Sequence, residues 1–150
     1  MCRHLTLGLL MAAVTLSAAD GFVGTWKADM AKSIFSPGPA PKGRTWTQTQ
    51  DGDWITGKGE NVYADGKTES GSTRYKRDGK EYPDYNPGIQ GTIAYKVIDS
   101  RTNEGILKLG AGTSTVRNIL AADGKTFTRT ITGTNAKGQT QRNVVVFEKQ

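Results

Sequence analysis

At 150 residues the chain has room for one domain and not for two. Nineteen glycines, 35% hydrophobic and 8% aromatic residues exclude a bundle of membrane helices, and the formal charge of +6 is dispersed along the chain. The one cysteine, Cys2, and the one histidine, His4, both precede the only long apolar run, so a chain shortened past that run offers no thiol nucleophile, disulfide, zinc finger, haem attachment or histidine-based triad.

Arg3 is followed by apolar residues from Leu5 to Leu16 and then by the small residues Ser17, Ala18 and Ala19. Basic start, apolar centre and small-residue boundary are the pattern of a secretory signal peptide. The run is shorter than the roughly 20 residues a membrane helix needs, so no transmembrane anchor is expected. Cys2 stands before the run, where it cannot serve as a lipoprotein cysteine. Residues 1–19 are therefore expected to be removed after Ala19, leaving a secreted or periplasmic domain of residues 20–150. That domain carries 19 basic against 14 acidic side chains. Its densest basic group, Arg74, Lys76, Arg77 and Lys80, is diluted by Asp78 and Glu81 and lacks interleaved stacking residues, which argues against nucleic acid as a partner.

After Asp20 the pattern is one of short strands. Seventeen threonines fall in residues 20–150, many at alternate positions, as in 45–49 and 126–132. Threonine is β-branched and fits a pleated surface, and alternation sends successive side chains to opposite faces. Predicted strands are 22–28, 44–50, 54–58, 60–64, 68–76, 92–99, 104–109, 114–121, 126–133 and 139–149. Three turns share the form x-Asp-Gly-Lys, at Asp65-Gly66, Asp78-Gly79 and Asp123-Gly124, where a tight hairpin needs residues that tolerate positive φ. The interval from Lys80 to Gly91, with Pro83 and Pro87, reads as a short strand and a loop. Residues Met30 to Gly43, with Pro37, Pro39 and Pro41, read as a stiff extended connection, entered by one helical turn from Ala31 to Phe35. That connection is either a lid over a cavity mouth or a plug completing the core.

Hairpins in chain order make an all-β, antiparallel up-and-down meander. At eight to ten strands such a sheet closes into a barrel because closure removes its edges. The rival arrangement is a two-sheet sandwich. The opening Gly24-Thr25-Trp26, after Phe22-Val23, resembles the G-x-W start of lipocalins and related calycin barrels. The resemblance extends to small secreted bacterial lipocalin-like proteins through Ala31 to Lys42, Asp78-Gly79-Lys80-Glu81-Tyr82-Pro83, Ala122-Asp123-Gly124-Lys125 and Asn143 to Lys149. It implies that Gly24 and Trp26 are structural, with Trp26 closing the barrel floor against a basic residue of the last strand, either Arg142 or Lys149. The chain departs from the pattern in two ways: no helix follows the last strand, and no disulfide ties down the terminus.

Candidate binding residues come from strand faces. Phe127, Arg129 and Ile131 share the inward side of their strand, opposite a threonine face. A guanidinium pointing inward must be paired, either with an internal carboxylate or with an anionic ligand, as interior arginines are in fatty-acid-binding barrels. Tyr95 lies on the similar face of Ile93 and Val97, and Trp46 shares its face with Arg44 and Gln48. Leu, Ile, Val and Phe number only 22 in residues 20–150, too few to fill a wide barrel with a dry core. Glu81 and Asp84 are the nearest approach to an acid–base pair, but their offset around Pro83 does not set them across a substrate. Asp51-Gly52-Asp53 lacks the further acids of a calcium loop and reads as a turn. No catalytic residue, cofactor or metal is expected. The leading reading is an exported, monomeric, non-catalytic barrel for a small hydrophobic or amphipathic ligand. A solid-barrel envelope module that binds protein or polysaccharide through its loops is the second, and a barrel isomerase or hydratase the third.

Overall fold

The computed structural model describes residues 20–86 and 89–150, so the expected signal peptide lies outside the described residues. Ten strands follow one another: β1 (Gly24–Ser36), β2 (Gly43–Asp51), β3 (Trp54–Val62), β4 (Thr68–Tyr75), β5 (Tyr82–Asn86), β6 (Ile89–Asp99), β7 (Thr102–Leu109), β8 (Gly112–Leu120), β9 (Thr126–Thr134) and β10 (Thr140–Lys149). Each pairs antiparallel with its neighbour in sequence, and β1 pairs with β10. The meander is therefore a closed barrel, and the sandwich is excluded.

Odd-numbered hairpin turns and even-numbered ones fall at opposite ends. The end holding the start of β1 and the finish of β10 is the floor; the end holding residues 37–42 and the β9–β10 turn is the mouth. Two of the Asp-Gly-Lys turns lie at the floor and one at the mouth. In each, the aspartate accepts a hydrogen bond from the lysine N–H two residues on, at 3.0 Å in Asp65 and Asp78 and 2.9 Å in Asp123. Gly124 follows with a φ of 70°, a conformation side chains disfavour.

Three local expectations are corrected. Residues 54–62 form a single strand where two were expected over 54–64, because Gly59 is not a break. Trp46 of β2 lies across β3, and a Cβ at Gly57 would fall 2.3 Å from its ring, one at Gly59 3.2 Å. The glycines seat an indole. The helical turn at Ala31 to Phe35 is instead β-strand, since β1 passes through a bulge between Asp29 and Ile34 and pairs again with β10. Asp29 Oδ1 accepts from the N–H of Ala31, Ser33 Oγ donates to Asp29 O at 2.7 Å, and Val146 N donates back to Ser33 Oγ. These bonds absorb the extra residues, and the connection shrinks to residues 37–42. Finally, β6 begins at Ile89, three residues before the predicted start, and its first five residues, Ile89–Ile93, pair with the whole of β5, while β4 meets β5 only at Ser72–Tyr85 and Thr73–Asp84.

The floor is aromatic. Trp26 is fully buried, stands edge-on to Phe127 at 4.8 Å, and donates its indole N–H to the Phe22 carbonyl at 2.9 Å. Phe127 stacks on Phe147, and Val145 and Leu120 complete the cluster. The basic partner of Trp26 is Lys149, opposite it in register with Nζ 5.2 Å from the ring centroid. Arg142 lies opposite Ser36 at the other end of the barrel. A second apolar cluster, Ile55, Tyr75, Ile93, Tyr95 and Val116, lines the far wall.

Candidate ligand cavity

Between the aromatic floor and the mouth the barrel holds a partly open cavity of about 260 Å³. Its apolar wall comes from Ile93, Leu107, Leu109, Val116 and Ile131. Its basic lining is Arg44 on β2 and Arg129 on β9, both on inward positions of their strands, and the acidic Glu69 and Asp84 also line it.

Arg129 is 6% exposed. Its Nε donates to Asn118 Oδ1 at 2.8 Å, and Asn118 Nδ2 donates to Asn103 Oδ1 at 2.7 Å. The three residues are register partners across β9, β8 and β7, so the strand pairing itself builds the relay. The guanidinium carbon sits 4.1 Å from the centroid of Trp46, which holds the head flat against the indole. With Nε committed to Asn118, the terminal nitrogens form the remaining donor fork.

Arg44 stands two residues before Trp46 on the same face. Its Nε is buried without a hydrogen-bond partner, as are Trp46 Nε1 and Asn61 Oδ1 on the same stretch of wall. Burial, and secondarily the charge of Arg129, pull the Arg44 pKa down to about 10, so the Arg44 guanidinium stays charged at neutral pH. None of the ion pairs among the described residues involves either arginine. Tyr75 and Tyr95 lie ring to ring at 4.8 Å beneath the apolar wall, and burial pushes the Tyr75 phenol above its ordinary value, keeping it protonated.

Of the residues singled out from sequence, Trp46, Tyr95, Arg129 and Ile131 line this one cavity. Phe127 faces inward as expected but lies in the floor, 1% exposed, and is not among the cavity-lining residues. Gly24, with a φ of 138°, lets Lys149 pass over Trp26, since a Cβ there would meet Lys149 Cε at 3.0 Å. Glu81 and Asp84 are not brought together: Glu81 pairs with Lys108 on the outside, whereas Asp84 lines the cavity. Asp51 and Asp53 flank an exposed turn. Sequence reading noted Arg44 only as a neighbour of Trp46 and missed Asn118, Asn103 and Asn61. Inward alternation was the available signal for Asn118, two positions from Val116.

No protein-family model matches the chain, and no curated protein sequence matches it. Solved structures do share its fold. A Schistosoma mansoni fatty acid binding protein in complex with arachidonic acid superposes with a TM-score of 0.60 at 16% identity, covering 87% of this chain and 96% of that one. Rv2717c from M. tuberculosis superposes at 0.55 with 18% identity, covering 87% of this chain and 93% of that one. At these identities the likeness is one of fold: a closed, antiparallel ten-stranded barrel.

Proposed function

We propose that this chain is an exported, non-catalytic barrel that binds a small amphipathic anion in its interior. One observation carries the reading: two guanidiniums, Arg44 and Arg129, face a single cavity beside an apolar wall, and neither has an ion-pair partner among the described residues. A buried charge without a counter-charge is costly, and an anionic head group on an apolar tail supplies the missing half. The fatty-acid complex with the same barrel gives the reading an analogue. A cavity of about 260 Å³ speaks against the solid-barrel module. Export rests on the pattern of residues 1–19, and N-terminal sequencing of extracytoplasmic protein should start at or within a few residues of Asp20.

Calorimetric titration with octanoate tests the binding directly. Wild-type protein should bind it. Arg129→Ala should lose about 2–5 kcal/mol of that affinity, with Arg129→Lys recovering only part because an ammonium lacks the planar fork. Equal affinity in all three proteins would remove Arg129 from the site, and no binding by the wild type would refute the reading.

A further inference from the structure

The size and the charge of the cavity restrict the ligand further, given the anion-binding reading above. A water molecule's share of liquid volume is about 30 Å³, so the cavity of about 260 Å³ has room on the order of nine such groups. A fatty acid of some twenty non-hydrogen atoms exceeds it by roughly twofold on that scale and would leave part of its tail outside the cavity. The part of a ligand held within the cavity is therefore compact, of about ten non-hydrogen atoms.

Two full positive charges meet that compact ligand. Arg129 offers its terminal fork, because Asn118 already occupies Nε. Arg44 offers the rest of its guanidinium from two residues beyond the indole that Arg129 covers. Glu69, which also lines the cavity, is exposed at the upper end of β4 and accepts the Tyr63 hydroxyl. Asp84 lies three strands from β2 and four from β9 around the barrel. A monocarboxylate compensates one of the two guanidiniums and leaves the other repelled and unpaired. A tetrahedral dianion compensates both, and its three terminal oxygens suffice for a bidentate grip by one arginine and a further bond from the other.

We infer that the head group held between Arg44 and Arg129 is a dianion of the phosphate-monoester type, carried on a tail of about six to eight carbons along Ile93, Leu107, Val116 and Ile131.

Hexyl phosphate and octanoate, titrated by calorimetry into the protein of residues 20–150 at pH 5.5 and 8.0, separate the two head groups. A phosphate monoester gains its second charge near pH 6, while a carboxylate is ionised throughout. The ionisable side chains lining the cavity are Arg44, Arg129, Glu69, Asp84, Tyr85 and Tyr95; a change in any of them would move octanoate as well, so the octanoate arm isolates the charge of the phosphate itself. The expected result is a hexyl phosphate affinity that rises about fourfold or more from pH 5.5 to 8.0, an octanoate affinity that changes by less than about twofold, and a preference of at least tenfold for the phosphate at pH 8.0. Arg44→Gln should weaken hexyl phosphate far more than octanoate, bringing the preference at pH 8.0 below about twofold. Equal affinities at pH 8.0, or a preference that survives Arg44→Gln, would overturn the dianion assignment and leave anion binding standing. Failure of both compounds to bind wild-type protein would overturn both.

Discussion

The guanidinium of Arg129 lies over the indole of Trp46 at 4.1 Å, and the indole in turn lies on Gly57 and Gly59 of the next strand. Backbone, ring and charge are stacked in that order, from the barrel wall towards the cavity. The arrangement explains how a charged head is held rigidly in an interior that is largely apolar: one face rests on π-electrons and one edge is bonded to Asn118. What is left over points at the cavity.

Asn118→Asp tests that arrangement by supplying an internal counter-charge at the atom that now accepts from Arg129. Folding stability should stay within about 2 kcal/mol of wild type, since a well-bonded buried pair roughly offsets its desolvation. Octanoate affinity should fall tenfold or more, because the guanidinium is already neutralised. Asn118→Leu should instead lose about 1–3 kcal/mol of stability by orphaning Nε. Urea unfolding and calorimetry on the two variants provide the comparison, and full affinity in Asn118→Asp would contradict the role given to Arg129.

Gly57→Ala should push Trp46 out of place. The added Cβ would sit 2.3 Å from the ring, so overpacking should cost about 1–3 kcal/mol and shift the tryptophan fluorescence. Gly43→Ala, with nothing within 4 Å of the added atom, should change stability by less than about 0.5 kcal/mol.

The floor contacts are unequal. Trp26→Ala removes a fully buried ring and should cost about 3–5 kcal/mol, whereas Lys149→Ala removes an exposed cation from its face and should cost less than about 1. Comparable losses in the two variants, measured by denaturant unfolding, would show that the floor depends on the cation.

At the floor opening Asp20 pairs with Arg77, and both side chains are largely buried, at 10% and 15% exposure. Arg77 Nε and Nη2 are buried without partners, so the carboxylate carries most of that guanidinium's compensation. Asp20→Asn should therefore lower stability by about 1–3 kcal/mol. A thermal midpoint unchanged by the substitution would mean that the pair contributes nothing.

Strand type, meander order and closure were legible because threonine alternation and Asp-Gly turns are local signals that the final structure obeys. The inward face of Phe127, Arg129 and Ile131 was legible for the same reason. What local reading could not supply was the meaning of the glycines. Gly59 looks like a strand break until Trp46 is known to cross it, and Gly105 carries no side chain because the ring of Tyr95 lies 2.6 Å from where its Cβ would stand. Both are contacts between strands. The bulge at Asp29 was hidden likewise, since the bond that ties it to the neighbouring strand comes from Val146, far along the chain. Among the candidate site residues, Phe127 shows the limit of parity: it decides inward from outward, but the height along the barrel decides between floor and cavity.

The arginine Nε–H signals of isotopically labelled protein, followed by NMR during titration with octanoate, address the central claim most directly. Arg44 and Arg129, assigned through their Lys variants, should shift in a saturable, concerted way. Arg101, Arg117 and Arg142, exposed on the outside, should stay in place. Shifts confined to the outer arginines, or no shift at Arg44 and Arg129 at saturating octanoate, would contradict an interior anion site.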